Sequence, residues 1–302
     1  MGSDINYDHC LCCGSVVISK VLSCKDYTVS QQLFEVWQCS NCSFRFTQNS
    51  PDAAGIGPYY QSTEYISHSD SKEGLVNKLY HLVRNYTLTS KLNLVKKVTG
   101  LKQGALLDVG AGTGAFAKTM QSAGWDVTGL EPDATARANA LSNYNLNLQD
   151  SEALKDLEAN NFDAITMWHV LEHVHDLHGY LEKYLHILKR AGRLIIAVPN
   201  YTSYDAKTYK ESWAAYDVPR HLYHFSPKSM ETLLERKGFV LEAVKPMWFD
   251  SFYVSMLSEK YKSGTNNYGS AFFTGLISNL KAIRDTKKCS SVIYIIRKKP
   301  QP

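Results

Sequence analysis

The stretch Leu106-Leu107-Asp108-Val109-Gly110-Ala111-Gly112-Thr113-Gly114-Ala115-Phe116 constrains the chain more than any other. Leu106, Leu107 and Val109 form the apolar run expected of a strand covered on both faces of a parallel sheet. Gly110, Gly112 and Gly114 let the backbone turn tightly and approach a ligand with no Cβ in the way. The pattern predicts a helix from Ala115 to Ala123, closed by Gly124, and a second strand from Trp125 to Leu130 that ends in Glu131. An acid at that strand tip, about twenty residues past the glycines, is placed to accept hydrogen bonds from a ribose diol. The segment therefore reads as a nucleoside-cofactor site built from Asp108, Gly110, Ala111, Gly112, Gly114, Glu131 and Pro132.

Gly110-x-Gly112-x-x-Ala115 also satisfies the loose dinucleotide fingerprint. Two details favour S-adenosylmethionine. Asp108 stands two residues before the first glycine, where a carboxylate meets a cationic amino-acid tail, and the glycines run Gly-x-Gly-x-Gly. This segment resembles the first motif of class I S-adenosylmethionine-dependent methyltransferases. Phe162-Asp163-Ala164-Ile165-Thr166-Met167-Trp168-His169-Val170-Leu171-Glu172-His173-Val174 resembles the fourth strand and following turn of the group that includes ubiquinone-type O-methyltransferases. Gly192 to Asn200 resembles its fifth strand. The resemblance implies an α/β fold, a seven-stranded Rossmann-like sheet whose last strand is antiparallel between the fifth and sixth. It also implies that Asp150, with Ser151, contacts the adenine amino group and that Trp168 and His169 lie beside the methyl group.

Cysteine usage is uneven, with six of seven in the first 42 residues. Cys10-Leu11-Cys12-Cys13-Gly14 and Cys39-Ser40-Asn41-Cys42 each hold a CxxC. Paired thiolates on two knuckle turns give the tetrahedral sulfur set that Zn²⁺ prefers. The expected ligands are Cys10, Cys13, Cys39 and Cys42, with Cys12 and then His9 as competitors. With all four positions filled the metal is structural. Short strands are expected at Ser15–Ile18 and Leu33–Gln38. A CxxCG…CxxC ribbon before such a core resembles bacterial methyltransferases of unassigned substrate and the sugar C-methyltransferases.

Hydrophobic content of 44% and charged content of 21% are those of a soluble globular chain. No run of eighteen apolar residues and no export signal is visible, so a cytoplasmic protein without a membrane partner is expected. The net charge of +4 is small, and the basic C-terminal stretch reads as a solvated tail rather than a nucleic-acid patch. Oligomeric state is left open.

Residues 1–50 are expected to form a zinc-ribbon appendage, 51–100 a linker and helices walling the cleft, and 101–302 the core. Helices are predicted from Gly74 to Val98, from Leu177 to Arg190 behind the cap Asp176, and from Pro227 to Lys237 behind Ser226. Strands are predicted at Phe239–Val244 and Ser291–Arg297. Residues 247–290 form an insertion with a Gly/Asn/Ser-rich loop from Gly264 to Gly275.

Methyl transfer to an alcohol or a carbon acid requires a base. Residues 201–226 are expected to be a substrate lid, with seven aromatic rings between Tyr201 and Phe225. Its His221-x-x-His224-Phe225-Ser226 resembles the histidine-bearing stretch of the sugar C-methyltransferases, where a histidine is the base. His221 is the first candidate, His224 its competitor and His169 the next; Arg220 is a candidate for binding an anionic substrate group. Pro199-Asn200-Tyr201 follows the fifth strand rather than the fourth, which excludes an amino-methylating signature. The expected activity is methyl transfer to a hydroxyl or acidic carbon of a small metabolite. The alternatives are a tRNA or protein methyltransferase with the ribbon as reader, for which Arg45 between Phe44 and Phe46 is a hint, a non-catalytic cofactor-binding protein, and a dinucleotide oxidoreductase.

Overall fold

Period-two burial builds the N-terminal layer. The computed structural model describes residues 4–61, 75–265 and 267–300, with side chains from residue 83 onward in the helix that opens at Leu75. Asp4–Ile5 (β1) pairs with a short strand at Ser50–Pro51. Ile18–Lys25 (β2) pairs antiparallel with Leu33–Cys39 (β3), which buries Phe34, Val36 and Cys39. β3 pairs in turn with Arg45–Gln48 (β4), and Ser50–Pro51 is β5. The first strand thus starts at Ile18, where the expected Ser15–Ile18 segment ends.

The core follows as Leu75–Thr99 (α1), Ala105–Val109 (β6), Ala115–Ser122 (α2), Asp126–Leu130 (β7), Ala134–Tyr144 (α3), Phe162–Trp168 (β8), Leu177–Ile187 (α4) and Leu188–Pro199 (β9). Then come Tyr204–Tyr209 (α5), Tyr223–His224 (β10), Pro227–Arg236 (α6), Phe239–Pro246 (β11), Asp250–Ser263 (α7), Tyr268–Arg284 (α8) and Ser291–Lys298 (β12). The central sheet runs β11-β12-β9-β8-β6-β7. β7, β6, β8 and β9 are parallel, and β12 is antiparallel between β9 and β11. Asp176 caps α4 as expected, and Ser226 with Ser229 forms a capping box on α6.

Six strands stand where seven were expected. The missing strand would flank β7, and there the chain makes one parallel bridge, Leu130 to Gln149. Asn145 closes α3 in the left-handed region, and the Asp150 carboxylate accepts the Glu152 N–H to start a 3₁₀ turn. Between those two local structures only Gln149 is left to pair, through bonds of 2.9 Å to Gly129 and Glu131. Leu146 and Leu148 pack against Ala117 and Ala140.

Four further expectations are revised. The ribbon is no appendage: β10 extends its sheet, with Tyr223 opposite Phe46 and His224 opposite Arg45. Cys10, Cys39, Phe44 and Phe46 share one buried cluster with Phe225, Met230 and the sheet. Residues 201–226 do not form an open lid. Tyr201, Tyr209, Trp213 and Tyr216 are buried with Phe34 and Val36 of the ribbon, and the Trp213 indole donates to Asp205 at 2.8 Å. The loop expected over Gly264–Gly275 is cut short, because α8 starts at Tyr268 and continues through Gly275, where an added Cβ would lie 3.1 Å from the Phe252 Cα. Helix α4 also ends at Ile187, ahead of the expected Arg190.

Arg220 locks these layers together. Its guanidinium, with 1% of the side chain exposed, lies 3.2 Å from Asp26 of the ribbon and 2.6 Å from Asp217. It also donates to the Tyr59 carbonyl at 2.8 Å and to the Thr28 hydroxyl. This full set of partners corrects the expectation that Arg220 binds substrate. Removing it leaves buried carboxylates without a counter-charge. Arg220→Ala is expected to lower stability by about 3–5 kcal/mol in urea unfolding, whereas Asp8→Ala at an exposed pair leaves the urea midpoint unchanged.

Candidate active site and metal centre

The glycine turn shapes a cradle at the carboxyl ends of the parallel strands. Gly110, Gly112 and Gly114 all have positive φ. A Cβ at Gly110 would strike Val170 at 2.4 Å, so that glycine is demanded by packing, whereas a Cβ at Gly112 meets nothing within 4 Å. The open side of Gly112 is where a ligand can lie against bare backbone. The Ala111 amide donates to the Leu130 carbonyl, and the Gly112 amide donates to Glu131 Oε2 at 2.8 Å. Glu131 Oε1 accepts the Asp133 N–H at 3.0 Å. Burial raises the pKa of Glu131. Arg137 bonds the Glu131 and Pro132 carbonyls and reaches Asp150 at 2.9 Å, so Asp150 and Ser151 are tied to the same rim.

Asp108 is buried, and its Oδ1 accepts the Thr166 hydroxyl at 2.7 Å. Burial pushes its pKa up to about 7, against the opposing effects of Thr166 and Lys91. Lys91 of α1, which sequence reading missed, has its ammonium 4.3 Å from the Trp168 ring centroid. Burial pushes Lys91 down to about 8 although Asp108 and Asp250 favour its charge. Trp168 packs edge-on to Phe116, and its indole Nε1 is buried with no partner. The cradle thus has bare backbone at Gly112 with the carboxyls of Glu131 and Asp108 on neighbouring strands.

His169 follows β8 with φ at 59°. Its Nε2 lies 2.8 Å from Asp250, the first residue of α7, and its Nδ1 lies 3.3 Å from Glu172. Burial opposes the charge, but the two carboxylates overcome it and hold the pKa up at about 10. His169 is therefore a cation at neutral pH, which corrects its candidacy as a base. Asp250 was also missed; it lies far along the chain and only the fold brings it here.

Glu172, His173 and His221 present ligand atoms within 4.8 Å of one another. Glu172 is fully buried, and its Oε2 has no partner. His173 Nδ1 lies 3.1 Å from the Arg220 carbonyl, and His221 Nδ1 lies 2.9 Å from the Ala215 carbonyl. The Ala215 carbonyl only accepts, so His221 carries a proton on Nδ1, and its Nε2 lies 3.9 Å from Asp217 Oδ2; His173 Nδ1 also lies 3.1 Å from the Tyr60 hydroxyl. Burial, reinforced by the adjacent His221, pushes His173 down to about 4. His224 is elsewhere: its Nε2 is 3.1 Å from Thr47 of the ribbon, and burial lowers its pKa well below the ordinary value. That position removes His224 from the catalytic candidates. Arg45 is likewise committed inward, with its guanidinium 4.0 Å from the Tyr201 ring centroid and 2.6 Å from the Tyr216 hydroxyl.

The Sγ atoms of Cys10, Cys13, Cys39 and Cys42 lie within 4.8 Å of one another. Cys10 faces Cys42, and Cys13 faces Cys39, each at 3.5 Å. The pairs cross between the two CxxC turns. Each turn is closed alike: the Gly14 amide bonds the Cys10 carbonyl at 2.7 Å and the Ser43 amide bonds the Cys39 carbonyl at 3.0 Å. Gly14 and Ser43 both have positive φ, so Ser43 adopts in the second knuckle what glycine adopts in the first. Tetrahedral Zn²⁺ with bonds near 2.3 Å requires sulfurs about 3.8 Å apart, which this spacing fits. Cys12 lies 3.2 Å from the Ser229 carbonyl.

Residues 81–244 match a family model described as a methyltransferase domain. The human mitochondrial ubiquinone biosynthesis O-methyltransferase is 29% identical over 173 residues, which are 52% of this chain and 46% of that protein. The Xanthomonas axonopodis ubiquinone biosynthesis O-methyltransferase is 27% identical over 158 residues, 48% of this chain and 66% of that protein. The chain spans less than two thirds of the length of either relative. A structure from Galdieria sulphuraria, provisionally assigned as a sarcosine dimethylglycine methyltransferase, superposes with a TM-score of 0.50 at 17% identity, over 74% of this chain and 88% of that one. That likeness concerns the fold alone. With more than half of its residues inside the family match, the chain belongs to the methyltransferase-domain family.

Proposed function

We propose that the chain transfers a methyl group from S-adenosylmethionine to a hydroxyl or acidic carbon of a small molecule, and that its four-cysteine cluster holds a structural Zn²⁺. The cradle carries this reading: open backbone at Gly112, with the carboxyls of Asp108 and Glu131 at the ends of the two strands beside it. When bound, the cofactor supplies a methyl group on a sulfonium centre, activated for in-line displacement. Asp108 meets a cationic amino group, and Glu131 accepts from a ribose diol. Asp150 and Ser151 form the adenine rim. The His169 imidazolium fixes the far end of the cleft and favours an acceptor oxygen carrying negative charge. His221 receives the acceptor proton on Nε2, and Asp217 and Glu172 stabilise the resulting imidazolium. The names of the ubiquinone biosynthesis relatives support a small-molecule acceptor. The inward commitment of Arg45 disfavours the ribbon as a reader of RNA or protein.

Calorimetry with S-adenosylhomocysteine, which keeps the amino-acid tail and the ribose, tests the cofactor assignment. Asp108 binds a cation only as a carboxylate, and its raised pKa leaves it protonated below about 7. Binding therefore releases a proton from Asp108, and affinity is expected to fall as pH drops from 8 to 5. Asp108→Asn weakens binding and flattens this dependence, and Glu131→Ala costs about 1.5–3 kcal/mol. Unchanged affinity in both variants, or preferential binding of NAD, rules the assignment out.

The metal reading has its own check. Elemental analysis is expected to find one Zn²⁺ per chain, lost in Cys42→Ser. Because the ribbon shares a core with the sheet, this variant is also expected to unfold at lower temperature.

For the base, His221→Ala is expected to lower turnover about 10²–10⁴-fold on an accepted substrate while S-adenosylhomocysteine affinity is unchanged. Wild-type turnover in that variant removes His221 from proton transfer.

A further inference from the structure

We propose that the outer face of the α7–α8 hairpin docks on an anionic lipid bilayer, lying on its surface without crossing it. The inference is independent of the cofactor reading. It starts from an inverted helix. α8 turns Ala271, Gly275, Ser278 and Ala282 inward and leaves its large side chains outside. Phe272 is 54% exposed, Phe273 63%, Leu280 53% and Ile283 67%. A helix on a water-facing surface shows the opposite arrangement, with large apolar groups in and polar groups out. No charged residue occurs from Tyr268 to Leu280, so nothing polar interrupts this face beyond small or uncharged groups. The inner face is equally telling. α7 buries Ser251, Ser255 and Ser258, and small groups on both helices allow the close crossing at Gly275. The large side chains are not outside for want of room within; the hairpin core is built from small ones.

Such a continuous apolar face marks an interaction site. The charges around it select the occupant. Exposed Lys262 stands at the end of α7 that meets the start of α8, and exposed Arg284, Lys287 and Lys288 stand at the other end. The acids of residues 250–290 are Asp250, Glu259 and Asp285. Asp250 is paired with His169, Glu259 is buried, and Asp285 bonds the Lys287 amide and lies 3.9 Å from the Lys288 ammonium. Both ends of the face are therefore basic. A second copy docked across a twofold axis would set basic end against basic end. An anionic bilayer attracts both ends while it takes up the apolar centre. Exposed Trp248, Phe249 and Tyr253 adjoin the face, the aromatic types that settle at the headgroup level. No described helix is long and apolar enough to span a membrane, which leaves docking on the surface.

Co-sedimentation of the full chain with vesicles tests this. Vesicles of phosphatidylcholine with one third phosphatidylglycerol are expected to bind it at least about tenfold more tightly than phosphatidylcholine alone, less so as salt is raised. Phe273→Ser/Leu280→Ser and, separately, Lys287→Glu/Lys288→Glu are each expected to reduce that binding about tenfold or more. All of these side chains are exposed, and circular dichroism melting checks that the variants fold. Absence of wild-type binding to the anionic vesicles overturns the proposal. So does undiminished binding by the serine pair, or light scattering that finds a dimer which the serine pair converts to monomer.

Discussion

The guanidinium of Arg220 is the point on which the rest of the molecule depends. A buried cation is tolerated only with its counter-charges in place, and here they come from two layers, Asp26 in the ribbon and Asp217 in the segment behind the sheet. Their geometry fixes where the ribbon sits. The same residue's carbonyl lies 3.1 Å from His173 Nδ1, so the backbone that carries the cation also helps to orient that ring. Ribbon position and the placing of the histidine are thereby linked. This explains why a metal-sized cysteine cluster far from the cleft belongs to the same folding unit as the cradle.

Four histidines near one another in this fold acquire different characters from their surroundings. His169, between two carboxylates, is a cation at neutral pH. Burial holds His173 and His224 neutral, and at His173 it outweighs the pull of Glu172 and Asp217. His221 keeps one nitrogen on a carbonyl and turns the other toward Asp217. The separation follows from burial against nearby charge, and it gives a cleft both a fixed positive charge and a proton acceptor within a short stretch of chain.

What was legible in the sequence was what local chemistry decides. The glycine turn announces itself because positive φ at Gly110, Gly112 and Gly114 excludes most other residues. Asp176 and Ser226 mark helix starts because a side-chain acceptor is needed there. The paired CxxC turns are equally local. What was hidden depended on distant partners. The bridging strand at Gln149 failed because turn and cap chemistry on either side of it won. The aromatic run after β9 looked like a lid because its polar spacing suits a loop, yet the ribbon, far earlier in the chain, covers it. Lys91 and Asp250 carry no motif, and each is significant only through the side chains the fold sets beside it. The Gly/Ser-rich stretch of α8 read as a loop because those residues disfavour helix, and tertiary packing against α7 overrode that preference.

Asp250 has a double membership. It opens the hairpin, and it is the counter-ion of His169 at the tip of β8. His169 is held in a left-handed backbone conformation that a histidine rarely adopts, and that conformation persists because its ring is anchored on both sides. One carboxylate thus ties the start of the hairpin to the residue that follows β8, so the position of α7 and the orientation of the His169 ring are fixed together.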